Sequence, residues 1–507
     1  MQISAIFKRT NRMAAVSEDF AKKCEVKENE TMGRYVIAST NIREGETVLC
    51  EQPILLLSNN TDRRCSSCYK LTNSFCGKCR LLPLCGECVH HDARDCKRLA
   101  ELQLEEEQVE KLQAQAEVNN ALTYLVLREH KETQPQYEQL LQMESHLALR
   151  RNTEIWRTYR EQVVLPLQST GLLQQLRNGA EIDEELLQHL LGTTDVNGFE
   201  IRAPESGGTL RGLYIRAALF PHSCTPNLVT AIDEERRIKV YANRYIPAGE
   251  ILYNCYTNIL LGTEERRLIL KQGKCFDCQC ARCQDPTELG THMSSFVCKT
   301  CKGGYIVKQL ESGIWQCLLN PEHTLKPEFV ANVLERAKEE VFHARDDIYR
   351  LELLLAKLSR LLHGNHYIML DLKQNIASIL RQILQNMAHR PNRKVYERKI
   401  RLCQEILLVL KVLTPGISRL KAIALYELAN TQAELARKLF SEQEQSTQDL
   451  LAELHQTEVM IRESLRMLLY EPISTPEGQL AHGMLRELKE LQNDMKMLQQ
   501  SNDDVVH

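Results

Sequence analysis

The chain has 507 residues, enough for about three domains that each bury a core, which excludes a single small scaffold. Lys and Arg total 64 against 67 Asp and Glu, so the net charge of -3 excludes any global electrostatic drive toward nucleic acid. The 19 cysteines are clustered, with 16 of them from Cys65 to Cys317 and only Cys24, Cys50 and Cys403 outside.

The opening MQISAIFKRTNR lacks the apolar core of roughly 7–15 residues that marks a secretory signal. Aliphatic runs such as Ile406 to Leu410 fall far short of the roughly 20 residues that span a bilayer. A reducing compartment is therefore expected, with no membrane contact, and there CxxC pairs bind metal more often than they form disulfides.

In chain order, residues 32 to 58 predict strand, turn, strand: GRYVIAS, a polar turn around Asn41 to Glu46, then TVLCEQPILLL. From Cys65 to Cys96 periodicity vanishes, and short Cys-bounded loops need a metal to hold them because little apolar surface is available. Leu99 to about Leu191 carries the Leu, Val and Ile spacing of helices. Strand signals return at Asn197 to Ile201, Asn227 to Ile232, Ile238 to Ala242 and Ile251 to Tyr256. After His323 the pattern is helical to the end, broken near His363-Gly364-Asn365, Pro391-Asn392, Pro415-Gly416 and Pro472 to Gly478. Such helices suggest a hairpin array of the tetratricopeptide type, although no repeat consensus recurs.

The first cysteine array is Cys65-x2-Cys68-x7-Cys76-x2-Cys79-x5-Cys85-x2-Cys88, followed by His91 and Cys96. Eight ligands make two tetrahedral zinc sites, and interleaving cross-braces the loops: Cys65, Cys68, Cys85 and Cys88 on one ion, Cys76, Cys79, His91 and Cys96 on the other. The adjacent His90 is an alternative to His91. A second array, Cys275-x2-Cys278-x-Cys280-x2-Cys283, has enough thiols to bind zinc unaided. The single residue between Cys278 and Cys280 strains a self-contained finger and favours a distant partner, for which Cys224 is the candidate. A third set, Cys298, Cys301, Cys317 and His323 around the turn Lys302-Gly303-Gly304, has zinc-ribbon character.

These residues resemble the SET and MYND domain (SMYD) lysine methyltransferases, particularly their arthropod branch, over nearly the whole chain. MGRYVIASTNIREGETVLCEQP resembles the opening SET strand pair, Cys65 to Cys96 a MYND finger, and LFPHSCTPN the signature written NHSCxPN. GEILYNCYTNILLGTEERRLILKQGKCFDCQCARCQ is similar throughout to the end of the SET core and the post-SET segment. The resemblance implies an α+β fold: a split SET β-core with inserted MYND zinc finger and helical insert, a post-SET zinc segment and a C-terminal all-α domain like a tetratricopeptide array. Boundaries follow at 1–64 for the first part of SET, 65–96 for the finger, 97–195 for the insert and 196–257 for the SET core. The post-SET segment is 258–286, a zinc ribbon 287–325 and the helical domain 326–507.

Carried over by position, the resemblance implies that Tyr256 is catalytic and that Cys224, Cys278, Cys280 and Cys283 bind the third zinc, leaving Cys275 free. Gly33, Arg34 and Tyr35 fall in the opening cofactor loop, Asn197 in the NxF motif, His222 and Tyr256 beside the cofactor, and Phe276 against its adenine. Two positions depart from the family pattern: Pro221 replaces the signature asparagine, removing an amide side chain and a backbone N–H, and Tyr35 replaces a small residue. The implied activity is transfer of a methyl group from S-adenosylmethionine to a lysine of a histone or non-histone protein, with three structural Zn2+ ions and the ribbon as a fourth site. The departures leave open a second function, an inactive scaffold whose finger and helices dock peptide partners such as co-repressors. A monomer in the nucleus and cytoplasm, without direct nucleic-acid contact, is expected.

That chemistry needs a neutral amine, whereas free lysine, with a pKa of about 10.4, is protonated at neutral pH. Desolvation in an apolar channel and a nearby sulfonium charge both lower it. Alignment is then the main task, which the Tyr256 hydroxyl and backbone carbonyls are suited to perform.

Overall fold

A computed structural model describes residues 18–59, 62–176, 182–204, 208–386 and 391–506. The opening MQISAIFKRTNR lies outside them. Among the described residues no helix is long and apolar enough to cross a membrane.

The β-unit consists of three small antiparallel sheets. β1 (Cys24–Asn29) pairs with β2 (Gly33–Ala38). Asn29 Oδ1 closes their turn by accepting from the Thr31 and Met32 N–H groups at 3.0 and 2.7 Å, and Gly33 follows at φ +63, a left-handed conformation in which a Cβ is costly. β3 (Thr47–Glu51), β8 (Ile238–Ala242) and β7 (Leu228–Ile232) form the second sheet in that order. β4 (Leu55–Ser58), β6 (Thr209–Leu213) and β5 (Phe199–Arg202) form the third. Their inward residues, among them Val36, Ala38, Leu49, Leu210 and Val240, share one core with Phe220. Each large side chain so buried contributes about 1.5–3 kcal/mol.

The expected strands differ from these in three respects. The segments within 32–58 do not pair with one another: β2 pairs with the preceding β1, while β3 and β4 reach β8 and β6, residues far along the chain. Asn197 ends the helix Glu184–Asn197, and β5 begins only at Phe199. Ile251 to Tyr256 makes only isolated bridges, Ile251 to Ile37 and Asn254 to His222, with Leu252 N–H donating to Val36 O at 2.9 Å.

Between β4 and β5, helices including Ala93–Ala100, Ala116–Glu129 and Glu184–Asn197 bury a common core. Residues 65–96 join it through Leu81, Leu82 and Leu84, so this segment is anchored by apolar contact. Asp92 and Asp183 begin two of the helices as N-caps, accepting from N–H groups two or three residues on.

Residues 296–325 form a four-stranded ribbon in which Phe296 and Trp315 meet edge to face at 5.5 Å. It shares a core with the first helices of the C-terminal part through Leu358, Leu362 and Leu370. Among the described residues seven helices follow: Pro327–Ala344, Ile348–Leu358, Tyr367–Gln385, Arg393–Leu413, Arg419–Ser441, Thr447–Leu468 and Pro476–Val506. Two of their breaks, at residues 345–347 and 442–446, carry no proline and were not among those expected. The array folds back on the β-unit. Ile417 N–H donates to Asn243 O at 2.7 Å, and a Cβ at Gly416 would lie 1.8 Å from that carbonyl, so glycine there permits the contact.

Candidate functional site

The cysteines and histidines expected as ligands gather into four groups: Cys65, Cys68, Cys85 and Cys88; Cys76, Cys79, His91 and Cys96; Cys224, Cys278, Cys280 and Cys283; Cys298, Cys301, Cys317 and His323. Within each, the ligand atoms all lie within 4.8 Å of one another. Contacts such as Cys68 to Cys85 at 3.6 Å, Cys76 to Cys96 at 3.7 Å and Cys79 Sγ to His91 Nε2 at 3.3 Å suit a tetrahedral ion with ligands about 2.0–2.3 Å away. His91 is buried while His90 is exposed, and burial lowers the His91 pKa, favouring the neutral ring a metal needs. Four donors per group leave no protein-defined open position, so bound zinc would be structural. Cys275 stands apart, in a left-handed conformation at the end of the helix Thr263–Lys274.

The third group joins two distant stretches of chain and has a buried support that residue spacing does not reveal. Arg266, on the same helix, is fully buried; its Nε lies 3.2 Å from Cys224 Sγ and its Nη2 3.5 Å from Cys283 Sγ. Its Nη1 pairs with Glu288 at 2.8 Å, and the equally buried Arg282 reaches the same carboxylate at 2.8 Å. Burial alone would raise the Glu288 pKa, but the guanidinium groups of Arg282 and Arg266 hold it below the usual carboxylate range. Thiolates 3.2 and 3.5 Å from a cation are hydrogen-bonded and partly neutralised, the role of groups placed behind metal ligands. TEERRLILK reads as an ordinary charged helix face, which hides this function.

A cluster of aromatic side chains packs beside this group. Tyr256, Phe276 and Cys280, each half-buried, pack on the core formed by Cys224, Leu270, Cys278 and Cys283. The His222 ring is 5.3 Å from that of Tyr256 and 5.9 Å from that of Phe276. Burial pushes His222 down to about 4, so the ring is neutral, and its Nδ1 accepts from the Tyr256 N–H at 3.0 Å. The Tyr256 hydroxyl donates to Phe220 O, and burial raises its pKa, so it stays protonated. Pro221 keeps its acceptor: Asn254 N–H donates to Pro221 O at 2.9 Å.

Arg34 and Asn197 meet a common loop, with Arg34 Nη2 donating to Gln142 O and Asn197 Nδ2 to Glu144 O, both at 2.7 Å. Gly33 and Tyr35 flank Arg34 in β2, Tyr35 half-buried and opposite Lys27. Asp195 fixes the end of the helix before Asn197, accepting from Arg150 at 2.6 Å, Arg211 at 2.8 Å and the Tyr159 hydroxyl at 2.9 Å. The cysteine group is thus buried and cross-linked, with half-buried aromatic side chains packed on it.

The SET domain family matches residues 33–257, from the glycine of the opening loop to the residue after Tyr256. The SET domain-containing protein SmydA-8, isoform A, of Drosophila melanogaster is 30% identical over 307 residues, 56% of this chain and 62% of the relative. Histone-lysine N-methyltransferase ASHR1 of Arabidopsis thaliana is 24% identical over 271 residues, 50% of this chain and 53% of the relative. Histone-lysine N-methyltransferase SMYD3 of Mus musculus is 40% identical over 88 residues, 17% of this chain and 20% of the relative. The chain thus spans less than two thirds of the length of these curated relatives.

Proposed function

We propose that the chain is a SET and MYND domain protein of the arthropod SmydA type, on its match to the SET domain family over residues 33–257 and its similarity to SmydA-8, and that it transfers a methyl group from S-adenosylmethionine to a lysine of a histone or non-histone protein. The observation that supports this is the packing of Tyr256, His222 and Phe276 on one zinc-type cysteine group. When bound, the donor supplies a sulfonium methyl. Gly33, Arg34, Tyr35, Asn197, His222 and Phe276 would hold it. His222 orients the Tyr256 backbone, and the protonated Tyr256 hydroxyl and neighbouring carbonyls align the incoming amine. Zinc takes no part in the transfer; the Cys224 group ties the segment bearing Phe276 to the signature.

In this reading residues 65–96 are a MYND finger, the C-terminal helices are a tetratricopeptide-like docking domain, and the monomer works in nucleus and cytoplasm on a protein substrate. Calorimetry on zinc-loaded protein should detect S-adenosylmethionine binding, and a radiolabelled transfer assay across histones and whole lysate should show incorporation. Absence of donor binding would sink the proposal. Pro221 and Tyr35 motivate the alternative, a scaffold that docks peptides through the finger. It would be favoured by a pull-down whose partners are lost when Cys76 and Cys79 are replaced, combined with no donor binding.

A further inference from the structure

An amine from the chain itself lies beside Tyr256. Lys274 is the last residue of the helix Thr263–Lys274 and stands two residues before Phe276. Its Nζ lies 5.8 Å from the centroid of the Tyr256 ring. It donates to Val196 O at 2.7 Å and to Asp195 O at 3.1 Å, the carbonyls immediately before Asn197. Those carbonyls cannot drift, since the Asp195 side chain is held by Arg150, Arg211 and Tyr159.

A methyl acceptor must offer a lone pair, and a neutral amine has two N–H donors and one lone pair. Two carbonyls are therefore enough to satisfy both donors and leave the lone pair unengaged. Burial, helped by the charge of Arg211 and opposed by Asp195, pushes Lys274 down to about 8. Near neutral pH roughly a tenth or more of such an amine is neutral, against about a thousandth for an ordinary lysine. A helix-end cap, a cation placed against the last carbonyls of Glu184–Asn197, explains the hydrogen bonds. It does not account for the position over the Tyr256 ring between residues assigned to the methyl donor.

We infer that Lys274 is an intramolecular methyl acceptor: resting on the proposed function, the protein methylates its own lysine in cis. In the step, the Nζ lone pair forms the N–C bond while the C–S bond of the sulfonium donor breaks and its electron pair goes to sulfur. The product is a thioether, and the methylated ammonium then loses its proton to water. A methylated Lys274 loses a donor to the Asp195 and Val196 carbonyls, so the modification loosens the helix-to-helix latch beside Tyr256.

The test uses zinc-loaded full-length protein incubated with methyl-labelled S-adenosylmethionine, followed by proteolysis and peptide mass spectrometry. The expected result is label on the peptide containing Lys274, with a fraction labelled per unit time that does not change on dilution. Tyr256→Phe should slow labelling by about 100-fold, and Lys274→Arg, which keeps a cation for the helix end, should abolish it at that peptide. Label on an added histone or on other lysines, with none on Lys274, would overturn the inference while leaving the proposed activity standing. Labelling of Lys274 that scales with protein concentration would overturn transfer in cis. Absence of donor binding by calorimetry would remove both the inference and the activity on which it rests.

Discussion

Replacing Arg266 with methionine tests whether the buried cation, and not the cysteines alone, sets the strength of the third metal site. The substitution keeps much of the volume but removes two N–H contacts to thiolates, at 3.2 and 3.5 Å, and the 2.8 Å pair with Glu288. Glu288 would retain Arg282 and Ser294, so its charge is not wholly orphaned. Breaking one side of a buried charge network costs about 3–5 kcal/mol, and loss of a group behind the ligands weakens metal binding by about 10–100-fold. Arg266→Met should therefore release one zinc equivalent early in a chelator titration followed with a zinc dye, and lower the urea midpoint. Arg266→Lys should fall between, because one ammonium cannot serve both thiolates and the carboxylate at the guanidinium's separations. Zinc retention equal to that of the parent protein, with stability changed by less than about 1 kcal/mol, would refute the reasoning.

Tyr256→Phe removes the hydroxyl bonded to Phe220 O and should leave donor binding near the parent value in calorimetry, while turnover on protein substrate falls about 100-fold. Elemental analysis of the folded protein should find four zinc ions per chain, one for each ligand group, and Cys301→Ser should remove one of them and destabilise the ribbon. Burial, reinforced by the charge of Asp195, pushes Glu117 up to about 7, so its ionisation opposes folding: the penalty is absent below the unfolded pKa and grows as pH rises toward the folded one. Glu117→Gln should stabilise the protein by about 1 kcal/mol near pH 5 and about 3 kcal/mol near pH 8, measured by urea denaturation. A pH-independent difference would show that Glu117 ionises normally.

Much of the metal-binding pattern is local and therefore legible. A CxxC pair puts two thiols within reach of one ion whatever the rest of the chain does, so residue spacing alone names ligand candidates. The helices after His323 show their apolar period in the same way, and their proline and glycine breaks can be read directly. Breaks at 345–347 and 442–446 lack those residues and escape notice. β1 is invisible for a physical reason: CEVKEN is an exposed strand of a two-stranded ribbon, and with almost no buried face it has no apolar alternation to detect.

The sequence by itself determined the ligand types and their short-range spacing, the helical character of the C-terminal part, and the ordered motifs that resemble a SET core. Tertiary structure decided what depends on contacts between distant residues. It brings Cys224 to Cys283, pairs β3 with β8 and β4 with β6, and turns Arg266 from a surface-like charge into a buried support for thiolates. It also carries the Lys274 amine to the carbonyls of residues 195 and 196 and to the ring of Tyr256. Spacing constrains neighbours along the chain, whereas burial, charge pairing and the position of an amine are set by whichever remote segments the fold packs around them.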